Sequence, residues 1–378
     1  MSAHCRHQPA CPGCPRFGER AIAAPARQRL EALALAAGIA SPEFSESIGF
    51  GYRHRVRLSV RGTPAAPRLG IFEEGSHRLV HIPDCPLHHP AIEEVCQELL
   101  GTAARLRVPP YREDEHLGLL RTVQLAVERP SGKVQVVLVL RAQPDAALPE
   151  IGPAIELCSE LAGLHLVHSL WLNFQPERTN SLLGPHFRHL VGPEAIEDWS
   201  GGARVFYPPG AFGQANPAQH DRAVAAIHEQ VGFEPVAEFY AGVGTIGLGL
   251  AARGRRVVFN EVSPGSLAGL ELGLAALPGH QATVRPGPAG QALSALEEVG
   301  AAATAIVDPP RKGLDAPLLD ALAGGAVQTL LYLSCGLDSF ERDAARLQAG
   351  RMQLTSLTGY PYFPFTEHVE TLACFERS

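Results

Sequence analysis

The chain has 378 residues, 46% of them hydrophobic, and a formal net charge of −7. This length predicts two domains, and the negative charge argues against a protein that coats nucleic acid by bulk attraction. Residues 1–20 lack the apolar centre of a signal peptide, and no apolar run approaches the length of a membrane span, so we expect a soluble, cytoplasmic protein without membrane contact.

Residues 1–100 combine cysteines, histidines and a basic strand predicted over His54–Arg61. Alternation places Arg53, Arg55 and Arg57 on one face of that strand, and guanidinium groups suit phosphates. The competing interpretation is compositional bias, because the chain has 30 Arg and 2 Lys.

Residues 101–204 continue this region as an α+β segment. Alternating apolar and polar residues over 119–141 predict a hairpin around Pro130–Gly132. A helix within Ala146–Gly163 and a strand over Leu166–Asn173 follow.

From residue 205 onward the pattern becomes βαβ. The predicted strands are Pro235–Tyr240, Arg255–Glu261, Thr304–Val307, Thr329–Ser334, Gln353–Tyr362 and Val369–Glu376. The predicted helices are Ala218–Gln230, Thr245–Arg253, one starting after Ser263, one near Pro317–Ala323, and Ser339–Gln348. This alternation predicts an α/β fold with a parallel sheet that ends in an antiparallel pair.

A glycine turn follows the first of these strands. Glu238 ends the strand, Gly242 and Gly244 let the backbone pass close to a ligand, and a helix begins after them. Glu261 ends the next strand 19 residues after Gly242, where it can accept both ribose hydroxyls of an adenosine. Alone, this pattern also fits a dinucleotide-binding turn.

Further motifs accompany the turn in order across residues 205–378. They are Phe212–Pro217, Asp308–Gly313, Leu333–Cys335 and Phe363–Glu370. The whole set resembles the RNA uracil-5 methyltransferases. The resemblance implies a Rossmann-like class I S-adenosylmethionine-dependent methyltransferase domain, preceded by an α+β RNA-binding domain. It further implies S-adenosylmethionine contacts from Gln214, Tyr240, Gly242, Gly244, Thr245, Glu261 and Asp308.

The reaction requires activation of the uracil ring, because its carbon 5 is a poor nucleophile. By resemblance, the Cys335 thiolate adds to carbon 6, and Glu370 later removes the proton from carbon 5. We expect the helix starting near Leu337 to lower the pKa of Cys335 through its dipole. Glu367 is the competing carboxylate for the role of base.

The chain departs from the family pattern at four positions. Gly336 stands where the family often has Asn, and Pro361 where it often has Asp. The glycine turn has Glu238 instead of Asp, and Ala241 instead of Cys or Ser. These departures bear on fine positioning more than on the reaction.

Half of the chain's cysteines, Cys5, Cys11, Cys14 and Cys85, lie in the first region. A cytosolic context favours a metal or a cluster over disulfides. Zinc is possible, since His4, His7, His81 and His88 crowd the same segments, and unrelated free thiols are the third option.

The spacing of these cysteines resembles that of the iron–sulfur members of the family, which implies a [4Fe–4S] cluster on the four thiolates. This subtype favours 23S rRNA over tRNA as substrate. We expect a monomer without a separate RNA-binding module ahead of Cys5.

Three other functions fit parts of the sequence. An NAD-dependent oxidoreductase would explain the glycine turn and Glu261, but not the Asp308–Gly313 or Leu333–Cys335 motifs. An amino-group methyltransferase typically has an aromatic residue where this chain has Arg311. A non-catalytic RNA-binding protein would leave the thiol, the carboxylate and the cofactor turn without a role.

Overall fold

A computed structural model describes residues 5–232 and 234–378. In chain order the strands are β1 (Glu43–Phe44), β2 (Arg55–Thr63), β3 (Ala66–Phe72), β4 (Leu79–His81), β5 (Leu120–Val127), β6 (Val134–Leu140), β7 (Val167–Phe174), β8 (His186–Val191), β9 (Ile196–Ser200), β10 (Ala203–Tyr207), β11 (Val236–Phe239), β12 (Arg256–Glu261), β13 (Gln281–Pro286), β14 (Thr304–Val307), β15 (Thr329–Ser334), β16 (Met352–Tyr360) and β17 (Glu370–Arg377). The helices are α1 (Ala24–Ala37), α2 (Pro90–Arg105), α3 (Leu148–Leu161), α4 (Pro217–Gln230), α5 (Gly247–Ala252), α6 (Pro264–Ala275), α7 (Ser294–Val299), α8 (Ala316–Ala323) and α9 (Leu337–Gln348). None of the helices in the described ranges is long and apolar enough to cross a membrane.

The chain forms two compact units. The first contains residues 50–198, 208–210 and the segment up to Pro15, and the second contains 16–49, 199–207 and 211–378. Helix α1 and strand β1 therefore belong to the second unit. The division predicted from the sequence, into 1–100, 101–204 and 205–378, stays a prediction about how function is distributed.

The first unit is built on a sheet with the order β4-β3-β2-β5-β6-β7-β8. The predicted hairpin is confirmed, with β5 and β6 antiparallel and Val127 paired with Val134. Every residue of β5 and β6 is buried, which their runs of Val and Leu make favourable. Helices α2 and α3 contribute their apolar faces to the same core.

The second unit contains a mixed sheet with the order β1-β16-β17-β15-β14-β11-β12-β13. The predicted parallel pairing is confirmed for β11 to β15, and the antiparallel end is confirmed for β16 and β17. Strands β11 and β14 are buried throughout, as expected for parallel strands covered on both faces. The carboxyl ends of the parallel strands consequently share one edge.

Several elements differ from the sequence prediction. Helix α5 begins at Gly247 rather than Thr245, because positive φ angles at Gly242 (58°) and Gly244 (86°) keep the turn non-helical. Strand β13 was missed because it is a sheet-edge strand with no fully buried residue, so its sequence lacks an apolar run. Helices α1, α2 and α7 were also missed.

Candidate active site

Several candidate catalytic and cofactor-binding residues lie at one edge of the second unit's sheet. Tyr240 follows β11, Glu261 ends β12, Asp308 follows β14 and Cys335 follows β15. Because β17 runs antiparallel to β15, its first residue, Glu370, lies at the same edge. Ligands of open α/β sheets bind outside the carboxyl ends of the strands, so this edge is the candidate active site.

The glycine turn is tied to the end of β12. The Gly242 N–H donates to Glu261 Oε2 at 2.7 Å, and Glu261 Oε1 accepts from the N–H groups of Val262 (2.8 Å) and Ser263 (2.7 Å). A carboxylate accepts about four hydrogen bonds, so Oε2 retains capacity for a hydroxyl donor. A Cβ atom added to Gly242 would meet nothing within 4 Å, so open space adjoins the turn.

Glu238 is a buried acid beneath this turn. Its Oε2 has no hydrogen-bond partner among the described residues, and burial, followed by the charges of Asp308 and Glu261, raises its pKa well above the usual value. A Cβ atom at Gly247 would lie 2.1 Å from that oxygen, so only glycine fits there. The open space at Gly242 and the remaining acceptor capacity of Glu261 Oε2 fit a ligand that carries ribose hydroxyls, which S-adenosylmethionine has.

The other residues assigned to the cofactor have varied surroundings. The Tyr240 hydroxyl accepts a hydrogen bond from the Asp315 N–H at 3.0 Å. Thr245 Oγ1 lies 2.9 Å from His220 Nε2. Gln214 is half-buried in the segment before α4. The side chains of Tyr240 and Thr245 are thus held by other protein groups, in addition to any ligand contact.

Cys335 and Glu370 are brought together by strand register. Ser334 at the end of β15 pairs with Thr371 of β17, so Cys335 and Glu370 occupy the next opposed positions. The Cys335 Sγ lies 3.9 Å from the Pro309 carbonyl oxygen, where the thiol donates a weak hydrogen bond. The thiol, the loop after β14 and the carboxyl group therefore share one cleft edge.

The predicted lowering of the pKa of Cys335 is wrong. Burial raises the pKa of this thiol to about 11, and the charges of Glu370 and Asp308 act in the same direction. Helix α9 does begin at Leu337, but burial and two acidic neighbours raise the pKa of the thiol. The thiol is consequently protonated at neutral pH in the free protein.

Glu370 and Glu367 differ sharply in environment. Glu370 is 3% exposed, whereas Glu367 is exposed. Burial and the charge of Asp308 raise the pKa of Glu370 well above its usual value, and the Arg311 charge opposes the shift only in part. Burial likewise raises the pKa of Asp308. Glu370 therefore holds a proton at a higher pH than an ordinary glutamate.

Two polar residues near the site, Asn216 and His220, had no role assigned from the sequence. His220 lies between Thr245 and Tyr362, with Nδ1 3.1 Å from the Tyr362 hydroxyl. Asn216 Nδ2 donates to the Tyr362 carbonyl oxygen at 3.1 Å. Asn216 and His220 are four residues apart at the start of α4, a spacing that places both on one helix face and could have singled them out.

The four front cysteines, Cys5, Cys11, Cys14 and Cys85, all lie in the first unit. Burial raises the pKa of Cys14 to about 12, and the charges of Cys85, Cys11 and Cys5 add to the shift, so the four thiols lie within electrostatic range of one another. Burial opposes ionisation of Cys85, but the hydrogen bond and charge of His88 outweigh it and lower its pKa. Across residues 5–232 and 234–378, no group of three or more His, Cys, Asp or Glu side chains has the arrangement of a metal site.

The histidines considered as zinc ligands have other contacts. His4 lies outside the described residues. The other three contact different protein groups. His7 Nε2 lies 2.9 Å from Asp84 Oδ1, His81 Nδ1 lies 2.8 Å from the Leu69 carbonyl oxygen, and His88 Nδ1 lies 2.5 Å from Glu93 Oε1. Each of these three imidazole rings therefore has one nitrogen engaged by another protein group.

The three early arginines lie along and just before β2. Arg55 and Arg57 flank the buried Val56, so they share the opposite face of the strand. Arg57 Nε donates to the Gln124 side chain at 2.8 Å, and the Arg53 guanidinium lies 5.7 Å from the Tyr52 ring centroid. The predicted alternation is confirmed for Arg55 and Arg57, whereas Arg53 precedes the strand, and RNA binding by these arginines stays a prediction.

Two relatives decide the family. The chain is 36% identical over 331 residues to an uncharacterized RNA methyltransferase of Protochlamydia amoebophila, and the match covers 86% of each chain. It is 31% identical over 352 residues to an uncharacterized RNA methyltransferase of Parasynechococcus marenigrum, covering 89% of this chain and 72% of the relative. The chain belongs to the RNA methyltransferase family. This membership removes the oxidoreductase and non-catalytic alternatives.

A solved structure supports the fold of this methyltransferase. The tRNA (uracil-54, C5)-methyltransferase of Pyrococcus abyssi, in complex with S-adenosyl-L-homocysteine, matches with a TM-score of 0.72 and 23% identity. The match covers 92% of this chain and 81% of that one. The chain therefore has the α/β fold of S-adenosylmethionine-dependent methyltransferases, with a mixed sheet. No family model matches the chain.

Proposed function

We propose that this protein methylates carbon 5 of a uridine in RNA, with Cys335 as nucleophile, Glu370 as base and S-adenosylmethionine as methyl donor. The observation that carries the proposal is the strand register that opposes Cys335 and Glu370 beside the glycine turn. A thiol and a buried carboxyl group at one cleft edge match what carbon-5 chemistry requires.

The residues have separate tasks in this mechanism. S-adenosylmethionine supplies the methyl group. Cys335 loses its thiol proton and forms a bond from sulfur to carbon 6 of uracil, which makes carbon 5 nucleophilic. Glu370 then accepts the proton from carbon 5, and the bond between sulfur and carbon 6 breaks. The double bond between carbons 5 and 6 re-forms in a ring that now carries the methyl group, and the departing thiolate takes up a proton from solvent, which restores the thiol for the next turnover.

The electrostatics support this division of labour. A carboxylate whose conjugate acid has a raised pKa is a stronger base than an ordinary glutamate, so it suits removal of a carbon-bound proton. The high pKa of the Cys335 thiol keeps it unreactive until substrate is bound. Arg311, which lowers the pKa of both groups, would help to form the thiolate.

The cofactor residues are proposed as a set. Glu261 would accept the ribose hydroxyls, Gly242 and Gly244 would admit the ligand close to the backbone, and Asp308 would line the cleft between cofactor and base. Gln214, Tyr240 and Thr245 complete the proposed contacts. Support comes from the open space at Gly242 and the remaining acceptor capacity of Glu261 Oε2.

The proposed substrate is 23S rRNA, bound with help from Arg53, Arg55 and Arg57 by a monomeric enzyme. The front cysteine set supports this choice, because it resembles that of the rRNA-modifying members of the RNA uracil-5 methyltransferases. The second candidate is tRNA, favoured by the similarity to the Pyrococcus abyssi enzyme, whose name specifies uracil-54 of tRNA.

The purified protein is expected to place 5-methyluridine in one of these RNAs. We would incubate it with S-adenosylmethionine and with unmodified 23S rRNA or tRNA, then map the product by mass spectrometry. A methyl group on 23S rRNA at carbon 5 supports the full proposal, and one on tRNA selects the second candidate. Methylation confined to exocyclic amines would overturn the reaction class.

The front cysteines are proposed to hold a [4Fe–4S] cluster. Cys5, Cys11, Cys14 and Cys85 would supply the four thiolates, since the four groups lie within electrostatic range of one another. Anaerobically purified protein is expected to contain iron and sulfide and to absorb near ~400 nm. Cys85→Ser should lose most of this absorption, while Cys96→Ser, which alters a buried cysteine of α2, should retain it. Colourless wild-type protein with stoichiometric zinc would contradict the cluster.

A further inference from the structure

The first turn of α4 bridges two segments of the proposed active site. His220 uses both ring nitrogens, Nε2 toward Thr245 Oγ1 at 2.9 Å and Nδ1 toward the Tyr362 hydroxyl at 3.1 Å. Thr245 lies in the glycine turn, and Tyr362 lies in the segment that leads to Glu370. One side chain therefore connects the cofactor turn to the approach of β17.

Tyr362 is anchored at two points from the same helix. His220 holds its hydroxyl, and Asn216 Nδ2 donates to its carbonyl oxygen at 3.1 Å. Asn216 is itself fixed as the N-cap of α4, with Oδ1 accepting from the Gln219 N–H. Tyr362 is 1% exposed and His220 4%, so these bonds are shielded from water.

The two ring nitrogens of His220 have opposite hydrogen-bonding roles when the ring is neutral. A neutral histidine has one donor and one acceptor nitrogen, so the hydroxyl protons of Thr245 and Tyr362 cannot be oriented independently. Breaking either bond would leave a buried polar group without its partner, which is costly. Thr245 and Tyr362 are therefore linked through one ring, and the orientation of one hydroxyl constrains that of the other.

We propose that His220 is a positioning residue that couples cofactor occupancy to the placement of the Glu370-bearing segment. The inference rests on the proposed cofactor site and extends it: ligand in the glycine turn orders residues 361–369, so the base is in place only when the methyl donor is bound. His220 acts through Thr245 and Tyr362 and takes no part in the reaction itself.

Hydrogen exchange of the full-length protein with and without S-adenosylhomocysteine tests the coupling. In the wild type, ligand should slow exchange in residues 241–247 and, roughly tenfold, in residues 361–369. In His220→Leu the slowing at 241–247 should persist and that at 361–369 should vanish. Tyr362→Phe, which removes one oxygen, should reproduce this loss if His220→Leu folds poorly.

The chain offers a matched control on the same helix. His228 is 8% exposed and its Nε2 lies 2.8 Å from the Ile246 carbonyl oxygen, so it contacts the end of the glycine turn. His228→Leu should leave the slowing at 361–369 intact. His220→Gln, which keeps a donor and an acceptor, should restore part of it.

Kinetics separate positioning from a general structural role. Per active site, Tyr362→Phe should lower kcat about tenfold while KM for S-adenosylmethionine changes less than about twofold. Equal slowing at 361–369 in wild type and His220→Leu would overturn the coupling. If ligand slows exchange at 241–247 but never at 361–369, the coupling alone is wrong. If it slows neither in the wild type, the cofactor site itself is wrong.

Discussion

Replacement of Cys335 by alanine is expected to abolish methyl transfer while leaving cofactor binding nearly intact. The sulfur is proposed to attack the uracil ring, and its neighbours in the structure are the Pro309 carbonyl and, across the strand pair, Glu370. Without the sulfur, carbon 5 stays a poor nucleophile. We expect a loss of kcat on the order of 10³-fold or more, measured as 5-methyluridine formed per minute.

A second buried cysteine of the same sheet provides the control for this experiment. Cys374 lies in β17, is 6% exposed and has no proposed chemical role. Cys374→Ala should keep nearly full activity, and both variants should show the wild-type rise in melting temperature with S-adenosylhomocysteine. Residual turnover of Cys335→Ala within about tenfold of wild type would show that the thiol is structural.

Replacement of Glu370 by glutamine is expected to trap a covalent complex between the protein and RNA. Glutamine keeps the size of the side chain but cannot accept a proton. Addition of Cys335 and methylation should proceed, whereas elimination should stall. A slowly migrating band on denaturing electrophoresis should appear, and its formation with the methylated base should require both RNA and S-adenosylmethionine.

Two further variants test the assignment of Glu370 as the base and of Cys335 as the nucleophile. Cys335→Ala combined with Glu370→Gln should remove the band, which ties the adduct to that sulfur. Glu367→Gln alters an exposed carboxylate three residues away and should turn over normally. Adduct accumulation in Glu367→Gln with normal turnover in Glu370→Gln would reverse the assignment, and full activity of both variants would remove the base from this segment.

The pH dependence of adduct release follows from the raised pKa of Glu370. Burial and the charge of Asp308 keep the carboxyl group protonated to a higher pH than usual. The basic form is therefore lost as pH falls through this raised pKa, well above the range where an ordinary glutamate titrates. Wild-type protein should therefore accumulate more adduct as the pH is lowered, whereas Glu370→Gln should accumulate it at every pH.

The sequence by itself determined the layered plan of the second unit. Strands β14 and β15 have the bounds predicted from their apolar runs, because parallel strands buried on both faces need such runs. The glycine turn was also readable, since positive φ at Gly242 and Gly244 demands glycine. The edge strand β13 escaped detection because its exposed positions place no demand on apolar residues.

Only the tertiary structure decided the electrostatics and the partners within the site. The opposition of Cys335 and Glu370 depends on the register of β15 and β17, which are separated by α9 and β16. The pKa of Cys335 rises rather than falls because folding buries the thiol and brings two acids near it. The bridge from Thr245 through His220 to Tyr362 likewise joins residues far apart in the chain, whose separation in space no local pattern encodes. Secondary-structure preferences depend on neighbouring residues in the sequence. Electrostatic interactions and hydrogen bonds within the site depend on distances that are set only when the strands pair.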